Sequence, residues 1–196
     1  MTSPHPHFKP VELKHASRLI NHGPTVLVTT AHGRQRNIMA AAWSMPVEFT
    51  PPRIAIVIDK STYTRELIAA SGVFAVCIPG AMAADLTYAV GTSSGRGADK
   101  FDRLGIESVP APLTGVPLPV AGCVAWLECR LIPEPHTEQA YDTCFAEVLG
   151  AAADQRVFSD GHWSFREDNS DLHTLHHLGA GNFARASTMV KAQPLP

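Results

Sequence analysis

Thr25-Val-Leu-Val-Thr-Thr-Ala31 runs into His32-Gly33 and then into a second extended stretch, Arg34 to Trp43. The first run is dense in β-branched residues and His-Gly supplies a tight turn, so the pair reads as a β-hairpin. Outward from it the signal stays β. Arg53-Ile-Ala-Ile-Val-Ile-Asp59 carries apolar residues on both faces, which predicts a central strand. Val73-Phe-Ala-Val-Cys-Ile78 is another strand, stopped by Pro79-Gly80, and Val120 to Leu131 and Phe145 to Ala153 are long apolar strands. Asp160-Gly161 between Arg156-Val-Phe-Ser159 and His162-Trp-Ser-Phe165 marks a small hairpin.

Short helices interrupt these strands. Thr62 to Ser71 can be capped by Ser61 or Thr62 and is ended by Gly72; Met82 to Val90 is ended by Gly91. Ala98 to Leu104 reads as a helical turn, and Val11 to Ile20 as a short, weakly amphipathic helix. Residues 105–120, with four prolines, form a loop or edge segment. Residues 1–10 read as a loose arm and 184–196 as a tail. Strands scattered in this way do not give βαβ alternation. The expectation is one domain over residues 1–196, mainly β: an antiparallel, closed or nearly closed barrel with a few short peripheral helices.

The chain has 196 residues, 45% apolar and only 17% charged, a leanness that hints at further buried surface such as a subunit interface or cofactor pocket. The formal net charge of −2 leaves no basic excess for a phosphodiester backbone, so no nucleic-acid partner is expected. No leader pattern and no membrane-length apolar run is seen, and a cytoplasmic location is expected. Cys123 and Cys129 lie on one extended run, about 20 Å apart at ~3.3 Å per residue, beyond bridging distance. With no CxxC spacing, Cys77, Cys123, Cys129 and Cys144 read as reduced, mostly buried thiols.

Four constellations could carry chemistry. Asn37-Ile-Met-Ala-Ala-Ala-Trp43-Ser44 places three small side chains in a row, so a flat polar ring could approach the main chain, with Trp43 as a wall; a strand packed tightly on a helix is the plainer reading. Asp59-Lys-Ser-Thr-Tyr-Thr-Arg65 leads into a helix N-terminus, where free N–H groups and the dipole suit a phosphate or simply an N-cap. Gly91-Thr-Ser-Ser-Gly-Arg-Gly-Ala-Asp-Lys-Phe101 is not a Walker loop. It is not a Rossmann fingerprint either, since Lys100 stands where the third glycine belongs. It still offers hydroxyls, main-chain N–H groups and two cations, Arg96 and Lys100, or else is a solvated loop. His173-Thr-Leu-His176-His177 has the spacing of one helical face and could hold a metal, but no matching Cys or carboxylate accompanies it; packing is the preferred reading and no metal is expected.

In their order along residues 22–150, these segments resemble the flavin reductase-like family of FMN-binding split-barrel proteins, which includes the flavoredoxins. The matching stretches are Arg36 to Trp43, Pro51-Pro-Arg-Ile-Ala-Ile56, Thr62 to Ile68 with Ser71-Gly-Val-Phe74, Ser94 to Phe101, and Ala125-Trp-Leu-Glu-Cys129; His176-His-Leu-Gly-Ala-Gly-Asn-Phe183 matches more weakly. The resemblance implies a split barrel, a homodimer, and FMN (FAD as an alternative) seated near the subunit interface. It places Asn37, Met39, Ala40, Ala41, Ala42, Trp43 and Ser44 along the isoalloxazine and ribityl chain, and Ser61, Thr62 and Thr64 at the phosphate. Ser94, Gly95, Arg96 and Lys100 would close over that phosphate. His136 would be the counterpart of a family His near the flavin, although Pro135-His-Thr137 stands far ahead of Ala146-Glu-Val148. The implied activity is an NAD(P)H-dependent flavin reductase, with no side-chain acid or base required. The alternative is a flavoredoxin-type carrier that exchanges electrons with a protein partner.

Overall fold

The computed structural model describes residues 5–195. Its strands are β1 (Phe8–Pro10), β2 (Val26–His32), β3 (Gln35–Ala41), β4 (Ser44–Phe49), β5 (Pro52–Val57), β6 (Val73–Pro79), β7 (Ser108–Pro110), β8 (Pro117–Pro119), β9 (Cys123–Ile132), β10 (Thr143–Asp154), β11 (Phe158–Ser159), β12 (His162–Trp163), β13 (Leu175–Gly179) and β14 (Asn182–Arg185). The helices are α1 (Leu13–Ala16), α2 (Tyr63–Ser71), α3 (Ala84–Gly91), α4 (Lys100–Arg103) and α5 (Pro135–Ala140). None of the described helices is long and apolar enough to cross a membrane.

One antiparallel sheet organises the chain in the order β3-β2-β6-β9-β10-β5-β4. One edge of β10 pairs with β9, while the other takes β5 over Thr143–Glu147 and β1 over Ala152–Asp154. Strand alternation then sorts side chains to two apolar clusters. Val26, Val28, Phe74, Val76, Ile78, Leu127, Ala146 and Val148 face one; Leu27, Ala75, Cys77 and Trp126 face the other. Both faces of the middle strands are thus covered, which explains their unbroken apolar runs.

Several sequence expectations change. Phe8–Pro10 is not a loose arm but a strand against β10, and the tail begins only after β14, which ends at Arg185. β5 is paired on both edges yet alternates: Ile54 and Ile56 are buried, Ala55 and Val57 half-buried and Arg53 exposed. Its neighbour β4 sits at the sheet edge with Met45 58%, Val47 42% and Phe49 68% exposed, and Trp43 just before it 74% exposed. His176 and His177 lie on strand β13, so the histidines do not share a helical face. His173 is buried and its Nε2 lies 2.9 Å from both Arg166 O and Asn169 Oδ1.

Two buried charges fasten the periphery to the sheet. Arg65 of α2 reaches the Glu138 carboxylate of α5 and the Cys144 sulfur of β10. Burial pushes the Cys144 thiol up to about 11, with Arg65 opposing the rise. Glu128 of β9 accepts three bonds through Oε2, from Leu113 N (2.9 Å), Thr114 N (2.8 Å) and Thr114 Oγ1 (2.9 Å), and so pins the turn between β7 and β8. Gly150, in the β10 bulge, leaves room for that turn: a Cβ there would meet Leu113 Cδ1 at 2.7 Å. All four cysteines are free and buried.

Candidate functional site

β3 runs beside α2, α3 and α4, and two adjoining clefts open along it. The first, of about 320 Å³, is polar. Asn37 and Met39 of β3, Ser61 to Thr64 at the start of α2, Val90 at the end of α3, the Gly91–Arg96 loop and Lys100 line it. The second, of about 350 Å³, has Ala40, Ala41 and Ala42 as its β3 side, with Thr25, Thr87, Tyr88, His177, Ala180, Gly181 and Phe183 around them. Gly91 and Thr92 border both.

The polar cleft is built from groups with spare hydrogen-bonding capacity. Thr62 caps α2, its hydroxyl accepting from Arg65 N at 3.3 Å. The first-turn N–H groups of Tyr63 and Thr64 have no carbonyl four residues back within the helix, so they remain free to bind an anion at the positive end of the dipole. Arg96 crosses from the loop to this turn, donating to Ser61 O at 2.9 Å and Glu66 Oε2 at 2.6 Å, with its guanidinium 5.6 Å from the Tyr63 ring centre. Ser94 Oγ accepts from Arg96 N at 3.2 Å and shapes the loop.

Asn37 is buried; its Nδ2 donates to Thr64 Oγ1 at 2.8 Å, while its Oδ1 finds no donor among the described residues. Gly95 passes so close that a Cβ there would overlap this Oδ1, which explains glycine at that place. Lys100 is 2% exposed, and its Nζ donates to Ile38 O at 2.8 Å and Val90 O at 2.7 Å. No carboxylate among the described residues pairs with it. Burial, assisted by the nearby Arg103 charge, lowers its pKa to about 8. An orphaned acceptor, an unmatched buried cation and a free helix N-terminus together suit a ligand that carries hydroxyls and a phosphate.

Of the residues expected from sequence, Asn37, Met39, Ser61, Thr62, Thr64, Ser94, Gly95, Arg96 and Lys100 meet in the polar cleft, and Ala40, Ala41 and Ala42 in the apolar one. Three do not. Trp43 projects into solvent beyond Ala42, and Ser44 begins β4 outside both linings. His136 sits on α5 with its ring 5.8 Å from that of Tyr141 and lines neither cleft. Lys100 also differs in detail, since two main-chain carbonyls already hold its ammonium. Sequence reasoning gave no cleft role to Thr25, Tyr88, His177 and Phe183, although the last two stand in the weakly matching His176–Phe183 stretch.

Residues 18–167 match the flavin reductase like domain. The chain belongs to this family. The flavin reductase-like chain is 57% identical over 187 residues to YddH of Escherichia coli K12, an uncharacterized protein, across 94% of this chain and 98% of that one. A crystal structure from Shewanella baltica OS155, described as an FMN-binding domain of a flavin reductases-like enzyme, is 42% identical with a TM-score of 0.90, covering 95% of this chain and 97% of that one. Flavoredoxin from Methanosarcina acetivorans, at 23% identity and a TM-score of 0.69 over 86% of this chain and 87% of that one, shares the fold. The flavin reductase-like sheet described above is therefore a split barrel.

Proposed function

We propose that this flavin reductase-like chain binds FMN in the paired clefts and acts as an NAD(P)H-dependent oxidoreductase. The observation that carries the reading is the polar cleft's unmatched buried ammonium of Lys100 beside the unpartnered Asn37 Oδ1, continuous at Gly91 and Thr92 with the alanine-lined cleft. Tyr63 and Thr64 N–H groups, Ser94 and the positive field of Arg96 and Lys100 hold the phosphate; Asn37 accepts from a ribityl hydroxyl; Ala40 to Ala42 let the ring lie against β3. Bound FMN supplies a ring that takes hydride from a nicotinamide and passes electrons to a second acceptor. The chain's own part is to bind, orient and neutralise.

The test is a fluorescence titration with FMN, FAD and riboflavin. FMN is expected to bind at least about tenfold tighter than riboflavin, because charge-assisted contacts to the phosphate are each worth about 1.5–3 kcal/mol. Equal affinities would remove the phosphate seat, and no binding would end the proposal. Oxidation of NADH or NADPH in the presence of free flavin then separates a reductase from an electron carrier, which would show little turnover.

The same reading includes a homodimer. Trp43, Met45, Val47 and Phe49 expose a row of large apolar side chains along edge strand β4, beside half-buried Ala55 and Val57 of β5. A soluble surface rarely leaves such a patch uncovered. Phe49→Glu is expected to shift the sedimenting species from dimer to monomer; a wild-type monomer would refute the interface.

A further inference from the structure

The family match ends at residue 167, yet a wall of the apolar cleft comes from beyond it, from the β13–β14 hairpin. His177 and Phe183 face each other across this ladder, with ring centres 5.2 Å apart, and both line the cleft. The hairpin is held at its base: Thr25 N donates to Leu175 O at 2.7 Å, His177 N to Thr25 Oγ1 at 2.9 Å, and Ala186 N to Thr174 O at 3.0 Å. Its turn is held too, because Gly181, at φ +77°, lies so near Tyr88 that a Cβ would stand 3.0 Å from Cε2. This wall is therefore placed by main-chain bonds at one end and close packing at the other, and the two rings are presented in a fixed position.

The cleft these rings border differs in kind from its neighbour. Its lining holds hydroxyls of Thr25, Thr87, Thr92 and Tyr88, the imidazole of His177, and otherwise methyls and the Phe183 ring; no Lys, Arg, Asp or Glu contributes. Such a lining desolvates a charged group without compensation, and favours an uncharged planar ring with a polar edge. All the cationic groups stand in the polar cleft, so phosphates belong there. The alanine run gives the apolar cleft a side of low relief, against which stacked rings can lie, and aromatic pairs add stabilisation beyond their buried area.

We propose that His177 and Phe183 form the docking face for the nicotinamide ring of the dinucleotide donor, the Phe183 ring packing against it and the His177 imidazole meeting its carboxamide. The β13–β14 hairpin then contacts the nicotinamide end that NADH and NADPH share. The inference rests on the FMN reading above, and its test keeps the two apart. The FMN-loaded protein is titrated with tetrahydro-NADH, a non-reducing analogue, and binding is read from the change in flavin absorbance, so turnover is not needed. Phe183→Ala and His177→Ala are each expected to weaken the analogue roughly tenfold more than they weaken FMN, a difference equivalent to about 1.4 kcal/mol. Phe183→Tyr, which keeps the ring, is expected to retain analogue binding and controls for loss of the hairpin fold. An analogue that leaves the wild-type spectrum unchanged, an unchanged analogue Kd in both alanine variants, or a parallel loss of FMN affinity would each overturn the assignment. Failure of the wild type to take up FMN would instead overturn the reading beneath it.

Discussion

Lys100→Met raises the Kd for FMN by about 10- to 100-fold, and the loss is smaller for riboflavin. The Lys100 ammonium is buried, held by Ile38 O and Val90 O, and lacks a carboxylate partner among the described residues. Those two bonds tie α4 to β3 and to the end of α3, so the side chain both shapes the cleft and leaves a positive charge in it. A phosphate brought into the cleft finds a cation whose desolvation has already been met by the fold. Losing one charge-assisted partner costs about 1.5–3 kcal/mol, which sets the expected range.

The same residue predicts a pH dependence whose two signs differ. Burial holds the Lys100 pKa at about 8 in the free protein, below its ordinary value, so the folded state disfavours the charged form. Above pH 8 the unfolded chain keeps its proton while the folded one loses it, and this group's contribution to stability therefore improves as pH rises. Flavin binding responds in the opposite direction. A phosphate favours the protonated ammonium, so above pH 8 binding must take up a proton, and FMN affinity falls by up to about tenfold per pH unit. Titrations from pH 6 to 10 on wild type and Lys100→Met check this: the slope above pH 8 should vanish in the variant. A slope common to both proteins would assign it to another group.

The parts of the site that were legible in the sequence are those whose local chemistry stands alone. Thr62 before an apolar-patterned helix and Gly72 after it mark α2 at both ends, and the structure shows the Thr62 cap and a left-handed Gly72 at φ 73°. The alanine run and the Gly91–Gly97 loop stand out because their composition contradicts an ordinary strand or helix. That Asn37, Thr64 and Lys100 converge depends on β3 lying beside α2 and α4, which no local pattern encodes. His177 and Phe183 were hidden for a related reason. The His173–His177 spacing imitates a helical face, whereas the backbone is extended and His177 N bonds to Thr25, 152 positions away in the chain. His136 lies on the proline-led α5, which Arg65 in the first turn of α2 holds through Glu138, and it lines neither cleft.

Glu128→Ala is expected to be the most damaging single change to stability. The carboxylate is 3% exposed, and one oxygen answers three donors from Leu113 and Thr114. Truncation leaves two main-chain N–H groups and a hydroxyl without their acceptor at a part-buried turn, and removes the side chain that spans to the sheet. Each stranded donor costs about 1–3 kcal/mol, so a total of about 3–5 kcal/mol is expected once the turn has relaxed. For a chain of this size that corresponds to a fall in Tm on the order of 10 °C. Glu128→Gln should recover part of the loss, because its amide oxygen can still accept although the charge is gone. None of Glu128, Leu113 and Thr114 lines either cleft, so the folded fraction of both variants should bind FMN as the wild type does. Thermal unfolding followed by circular dichroism, paired with FMN titration at low temperature, reads both quantities. A Glu128→Ala protein that melts within about 2 °C of wild type would mean the turn finds other acceptors; because Gly150 admits the Leu113 side chain beside it, repacking of that side chain into the bulge is the specific alternative to look for.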